Sequence, residues 1–262
     1  MKLPIYQINT FTSKPFKGNP ACVVPLDKWL SDEILLKIAK ENAVSETAFF
    51  VDKGEKIHLR WFTPEIEMDL CGHATLATSH CLKTILNYEK DEIIFKTLSG
   101  DLSVKRIDDL YKMDFPSRAP SKANLPELIK KSLNIIPKEV LKSRDYVLVY
   151  EKESEIKKIK IDKLFFDQIN LDTGGVIVTA KGDDCDFVSR FFTPQASILE
   201  DPVTGSAHCS LIPFWASRLK KTLLNAQQVS ERGGELFCED KGGRVIICGE
   251  AKTYSVGYLW TA

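Results

Sequence analysis

The chain has 262 residues, 44% of them hydrophobic and 27% charged, with 36 basic side chains balanced by 36 acidic ones. That length supports one large core or two of ordinary size without disulfide staples, and zero net charge argues against nucleic acid or an anionic membrane as partner. No run is apolar enough for a spanning helix, and Met1-Lys2-Leu3-Pro4 begins no secretory signal, so a cytoplasmic protein is expected. Seven scattered cysteines, an odd number without a Cys-x-x-Cys, read as reduced thiols rather than a disulfide framework or zinc module.

In chain order, Ile5 to Phe11 and Cys22 to Pro25 read as strands from their β-branched and alternating residues. Ser31 is placed to cap a helix through Ala43, with Ile34, Leu35, Ile38 and Ala39 at helical spacing. Ala48 to Val51 and Ile57 to Phe62 are strands around Lys53-Gly54-Glu55, and a helix opens at Gly72 and runs to about Leu86. Its Ala74, Ala77, Cys81, Leu82 and Ile85 form one stripe. Glu92 to Thr97 and Leu102 to Ile107 form a hairpin, and the proline-punctuated stretch Phe115 to Pro120 marks the boundary between two halves.

Beyond it, Pro126 stands at the first position of a short helix to Leu133. Strands follow near Tyr146 to Tyr150, Val176 to Thr179 and Phe187 to Phe192, and a helix runs from Gly205 to about Leu219 with Pro213 inside it. Strands near Leu236 to Cys238, Arg244 to Cys248 and Tyr254 to Trp260 end the chain.

The two halves echo one another. Arg60-Trp61-Phe62-Thr63-Pro64 returns 130 residues later as Arg190-Phe191-Phe192-Thr193-Pro194, and Cys71-Gly72-His73-Ala74 returns 133 residues later as Thr204-Gly205-Ser206-Ala207. Thr47 to Val51 lines up loosely with Gly174 to Val178. Two echoes in one order imply two copies of one supersecondary unit. The expected class is α+β with pseudo-twofold symmetry, each half mostly antiparallel sheet with one late helix of small residues.

Each copy places a glycine, Gly72 or Gly205, at the opening of its best helix. Unpaired N–H groups and partial positive charge make such an opening a seat for a carboxylate or developing oxyanion. Two openings facing one cleft between the halves would grip a small anionic substrate. Where the copies differ, chemistry is expected. Cys71 is matched by Thr204, whose hydroxyl is too weak an acid to complete a thiol pair, and Glu46 ahead of an apolar strand has no acidic counterpart. Partial burial would raise the pKa of that carboxyl and suit it to carry a proton both ways. His73 is placed to hydrogen-bond substrate as neutral imidazole, and Asp201 either accepts from a substrate amine or hydroxyl or caps the second helix. His80-Cys81 and His208-Cys209 lack metal-ligand spacing and read as core or helix-surface residues. Arg232, in Gln228-x-Ser230-x-Arg232-Gly233-Gly234, either reaches a substrate carboxylate or sits in a polar turn.

Gly18-Asn19-Pro20-Ala21, Ser45-Glu46-Thr47-Ala48-Phe49, Arg60-Trp61-Phe62-Thr63-Pro64, Cys71-Gly72-His73-Ala74-Thr75 and Asp201-Pro202-Val203-Thr204-Gly205-Ser206-Ala207 together resemble the PhzF-like phenazine-biosynthesis isomerase family. The resemblance implies the diaminopimelate-epimerase-like fold, two similar domains (1–116 and 117–262, with terminal strands crossing), each an antiparallel barrel-like sheet around a central helix. It implies a cofactor-independent and metal-free isomerase with Glu46 as acid/base. Substrate would be held by His73, Asp201 and Ser206, joined by Gly72, Gly205 and Thr204 at the helix openings, and the protein would form a homodimer. The related two-cysteine epimerases carry a cysteine at both openings; this chain is similar at Cys71 and departs at Thr204, so Cys71 is read as packing. Two other classes stay open: a two-base epimerase or racemase using Cys71, and a non-catalytic metabolite-binding protein.

Overall fold

The computed structural model describes residues 1–261. The chain divides into two compact units, Met1–Phe115 joined by the segment from Ile247 onward, and Pro116–Ile246.

In the first unit, β1 (Lys2–Thr10) and β2 (Asn19–Pro25) form an antiparallel pair. The turn between them needs Gly18, at φ +69°, because a Cβ there would lie 2.1 Å from the Thr10 carbonyl oxygen. The helix α1 (Asp32–Asn42) then crosses over, so β3 (Glu46–Asp52) runs parallel to β2, and β4 (Ile57–Phe62) and the short β5 (Glu67–Met68) return antiparallel. A second crossover, α2 (Gly72–Thr84), brings β6 (Glu92–Thr97) parallel to β4, and β7 (Gly100–Ile107) and β8 (Leu110–Pro116) complete a meander.

The second unit repeats this pattern. The strand β9 (Ser121–Lys122) pairs with β10 (Glu139–Lys142) after the short helix α3 (Glu127–Ser132), and β10 pairs antiparallel with β11 (Tyr146–Val149). The helices α4 (Glu153–Lys158) and α5 (Lys163–Phe166) cross over to β12 (Val176–Lys181), which lies parallel to β11 and antiparallel to β13 (Phe187–Phe192). Next come β14 (Glu200–Asp201), then α6 (Gly205–Leu219) and β15 (Leu223–Gln228), the latter parallel to β13. The strands β16 (Gly234–Asp240) and β17 (Arg244–Gly249) follow, and β18 (Ala251–Trp260) pairs with β1 along its whole length.

The structure adjusts several expectations. Residues from Ile247 onward group with the first unit, a crossing of the terminal strand out of 117–262, because nine of the ten residues of β18 pair with β1. Both units contain parallel strand pairs, β2–β3 and β4–β6 in the first and β11–β12 and β13–β15 in the second, since each helical crossover returns the chain in its original direction. The register pairs Val176 with Phe192 as it pairs Thr47 with Phe62, so Thr47–Val51 matches Val176–Ala180 and Glu46 matches Gly175. Ser31 caps α1 without a side-chain bond, and Pro126 stands at the cap of α3, one place before its first turn. Strands β10 and β15 and helices α4 and α5 lack a clear hydrophobic period and are not predicted; β8 is not predicted either, although Tyr111, Met113 and Phe115 alternate with Lys112 and Asp114, because it runs straight into the proline-punctuated boundary.

The helix α2 is buried on every side from Gly72 to Leu82, packed against β1, β2, β3 and β18. A helix so enclosed should be apolar all round, yet it carries Thr75, Thr78 and Ser79. Each of these donates its hydroxyl to the carbonyl four residues back, which removes the cost of burying it. In the second unit α6 rests on β15 and β16, and its Trp215 donates to the Thr179 hydroxyl and stacks on Phe187.

Candidate active site

The repeated Arg-x-Phe-Thr-Pro segment builds a scaffold in each unit. Arg60 grips Glu67 through two charge-assisted bonds of 2.7 and 2.6 Å, and Arg190 grips Glu200 the same way at 2.7 and 2.8 Å. These forks tie β4 to β5 and β13 to β14, fixing the loop that leads into each buried helix. Cys71 caps α2 and Thr204 caps α6, both with extended backbone. Within α2 Thr75 donates to the Cys71 carbonyl, and at the matching place in α6 His208 Nδ1 lies 2.8 Å from the Thr204 carbonyl. The two openings therefore share one architecture.

Their side chains diverge. In the first unit Glu46, starting β3, sends its carboxyl to the mouth of α2, where Oε2 lies 3.2 Å from His73 Nε2. The Glu46 side chain is 14% exposed and that of His73 3%. The other ring nitrogen of His73, Nδ1, lies 3.5 Å from the sulfur of buried Cys71. Carboxylate, imidazole and thiol thus cluster at the head of a helix whose first-turn N–H groups have no intrahelical acceptor. In the second unit the three places hold Gly175, Ser206 and Thr204, and a Cβ at Gly175 would meet the Phe191 ring at 2.4 Å. No carboxylate fits there.

The second opening is instead a hydrogen-bonded cluster. Thr204 donates its hydroxyl to Asp201 Oδ2 and its backbone N–H to Gln228 Oε1 at 2.8 Å, while Gln228 Nε2 donates to the Asp201 carbonyl at 2.7 Å. Ser230 donates to the Pro202 carbonyl and accepts from the Gly233 N–H. Asp201 thus braces the residue that caps α6. Ser206 sits in the first turn beside Gly205, and Arg232 is half-buried, with desolvation holding its guanidinium below its usual pKa.

Two contributions escaped the sequence reading. Gln228 is fully buried and spans both Thr204 and Asp201, although a lone Gln 24 residues from a helix start carries no signal of this. Cys71, read as packing, touches the histidine that faces Glu46; the Cys-x-His spacing at a helix start was the available clue. As expected, His80, Cys81, His208 and Cys209 lie in the interior, and burial pushes both thiols up to about 12 and both imidazoles down to about 4. The Glu46, Cys71 and His73 donor atoms lie within 4.8 Å of one another, a donor set that zinc accepts.

Residues 8–257 match the family described as phenazine biosynthesis-like protein, PhzC-PhzF, and the chain belongs to that family. An uncharacterized isomerase of Pseudomonas aeruginosa is 48% identical, the match covering 99% of each chain. A crystal structure of a PhzF-family protein from Enterococcus faecalis superposes with a TM-score of 0.92 at 44% identity, covering all of both chains. The protein is an isomerase. A hydroxyproline epimerase from Agrobacterium vitis shares the fold at 9% identity, with a TM-score of 0.63 over 98% of this chain and 92% of that one.

Proposed function

We propose that the protein moves a proton between carbons of a small carboxylate-bearing substrate without a cofactor, with Glu46 as the general acid/base and within the diaminopimelate-epimerase-like fold. The observation that carries this reading is the 3.2 Å approach of the largely buried Glu46 carboxyl to His73 at the opening of α2. The N–H groups following Gly72 offer a seat for the substrate carboxylate or for enolate-like charge as it develops. Glu46 removes a proton from the carbon that this charge acidifies and delivers it elsewhere on the conjugated system. His73 is the proposed substrate contact beside it. Thr204, Gly205, Ser206 and Asp201 complete the set of substrate-binding residues, supported by the matched repeat.

Single-carboxyl acid/base catalysis contributes roughly two to four powers of ten in rate. Purified protein incubated with a metabolite extract in deuterated water should yield mass-shifted products, and Glu46→Gln should cut their formation by about that factor while the fold survives. Wild-type deuterium incorporation by Glu46→Gln, together with its loss in Cys71→Ala, would move the base to the thiol. Two-thiol epimerisation lacks its second sulfur, because Thr204 holds the matching place and gives its hydroxyl to Asp201. We further propose that the protein works as a homodimer.

A further inference from the structure

We propose that Cys71 is a positioning residue whose thiol donates to His73 Nδ1, thereby placing the imidazole proton on Nε2, the nitrogen that faces Glu46. A neutral imidazole carries one proton and one lone pair, so its two neighbours decide the tautomer between them. With the proton on Nδ1, the Nε2 lone pair would meet a carboxylate oxygen 3.2 Å away, an arrangement tolerable only if Glu46 were itself protonated. With the thiol as donor across 3.5 Å, the lone-pair clash disappears and the Nε2 proton lies beside a carboxylate oxygen 3.2 Å from its nitrogen, an electrostatic attraction without an aligned hydrogen bond. Burial sharpens this choice, since Cys71 and His73 are 3% and 2% exposed and little solvent competes.

The pseudo-symmetry supplies an independent argument. Cys71, His73 and Glu46 come from two separate segments, yet all three are exchanged together in the second unit, for Thr204, Ser206 and Gly175. A cysteine kept only for packing would have no reason to vary with the imidazole and the carboxylate. The catalytic meaning rests on the reading of Glu46 above: a donor on Nε2 keeps the resting carboxyl ionised, ready to accept the substrate proton. The other buried thiols Cys22, Cys81 and Cys209 are pushed up to about 12 by desolvation and stay inert protonated groups far from this role.

Long-range proton–nitrogen spectra of the full chain labelled with 15N-histidine report the tautomer without any substrate, and His73→Gln assigns the His73 signals. Wild type and Cys71→Ser, whose hydroxyl also donates, should show one lone-pair nitrogen at Nδ1 and a protonated Nε2. Cys71→Ala should lose that pure pattern. The proposal is overturned if Cys71→Ala keeps the wild-type pattern, or if wild type carries its proton on Nδ1 or on both nitrogens. The wild-type spectrum alone decides the tautomer should Cys71→Ala fail to fold. This outcome is separable from the deuterium experiment. If Glu46→Gln exchanges normally while the tautomer is as stated, the thiol–imidazole contact stands and only its service to Glu46 falls.

Discussion

Glycine 175 shows why the second unit has no counterpart of Glu46. Its backbone occupies the place that Glu46 holds in the first unit, and the Phe191 ring and the Phe192 carbonyl close over it at 2.4 and 2.7 Å from where a Cβ would lie. Gly175→Ala must displace that ring or the backbone, an overpacking that costs about 1–3 kcal/mol; a lower urea midpoint at unchanged slope would register it. A midpoint equal to wild type would mean the aromatic ring moves freely and does not exclude a carboxylate there. His208 makes a second residue-scale case. It is fully buried, held neutral by desolvation with its pKa down at about 4 from 6.5. The unfolded chain binds this proton near pH 6.5 and the folded chain only near 4. Its contribution is therefore complete above pH 6.5 and drains as pH falls towards 4, by about 3 kcal/mol at the lower end. Denaturant midpoints measured between pH 7.5 and 4.5 should fall steadily below 6.5, and a flat profile there would contradict the burial.

At the scale of elements, the helix opening explains why a lone histidine becomes informative. Nothing about His73 in isolation separates it from His80, which lies two turns further along α2 and bonds Thr253 and Tyr111. What differs is the position along the helix. Residues in the first turn share the opening with unpaired N–H groups, whereas those in the middle face strands that surround them. The same helix also explains its own composition. Because α2 is enclosed by sheet, its hydroxyl residues are satisfied internally, and the apolar stripe read from Ala74, Ala77 and Cys81 describes only part of a surface that is buried all round.

At the scale of the molecule, the C-terminal strand links the two ends of the chain. Its Tyr258 and Trp260 remain 56% and 71% exposed on the side where Lys2 lies over both rings, and Val256 on the same strand is 62% exposed. Large contiguous apolar exposure of this kind is uncommon on monomers, which accords with the proposed homodimer. Light scattering on the purified protein should return twice the chain mass, and Trp260→Ser should raise the dissociation constant without changing the fold. A monomer at micromolar concentration would remove the proposal. No described helix is long and apolar enough to cross a membrane.

The sequence by itself determined the repeat, the two helices with glycine at their openings, and Glu46, His73 and Asp201 as the residues to watch. These are local signals, written in short motifs whose spacing survives without any knowledge of packing. Strands β10 and β15 are not legible because short and mixed segments do not enforce strict alternation, whereas the alternation of Tyr111, Met113 and Phe115 in β8 is legible and is masked only by the proline-punctuated boundary it enters. Only the tertiary structure decided which residues touch. The registers of β3 on β4 and of β12 on β13 moved the match of Thr47–Val51 from Gly174–Val178 to Val176–Ala180 and put Gly175 in the place of Glu46, the pairing of β18 with β1 returned the C-terminal strand to the first unit, and Gln228 reached Thr204 across 24 residues of chain. The cluster of Cys71, His73 and Glu46 belongs to this second kind. Two of its members lie on the lip of α2 and the third on a strand from another segment, and no spacing along the chain encodes a 3.2 Å approach between side chains that only folding brings together.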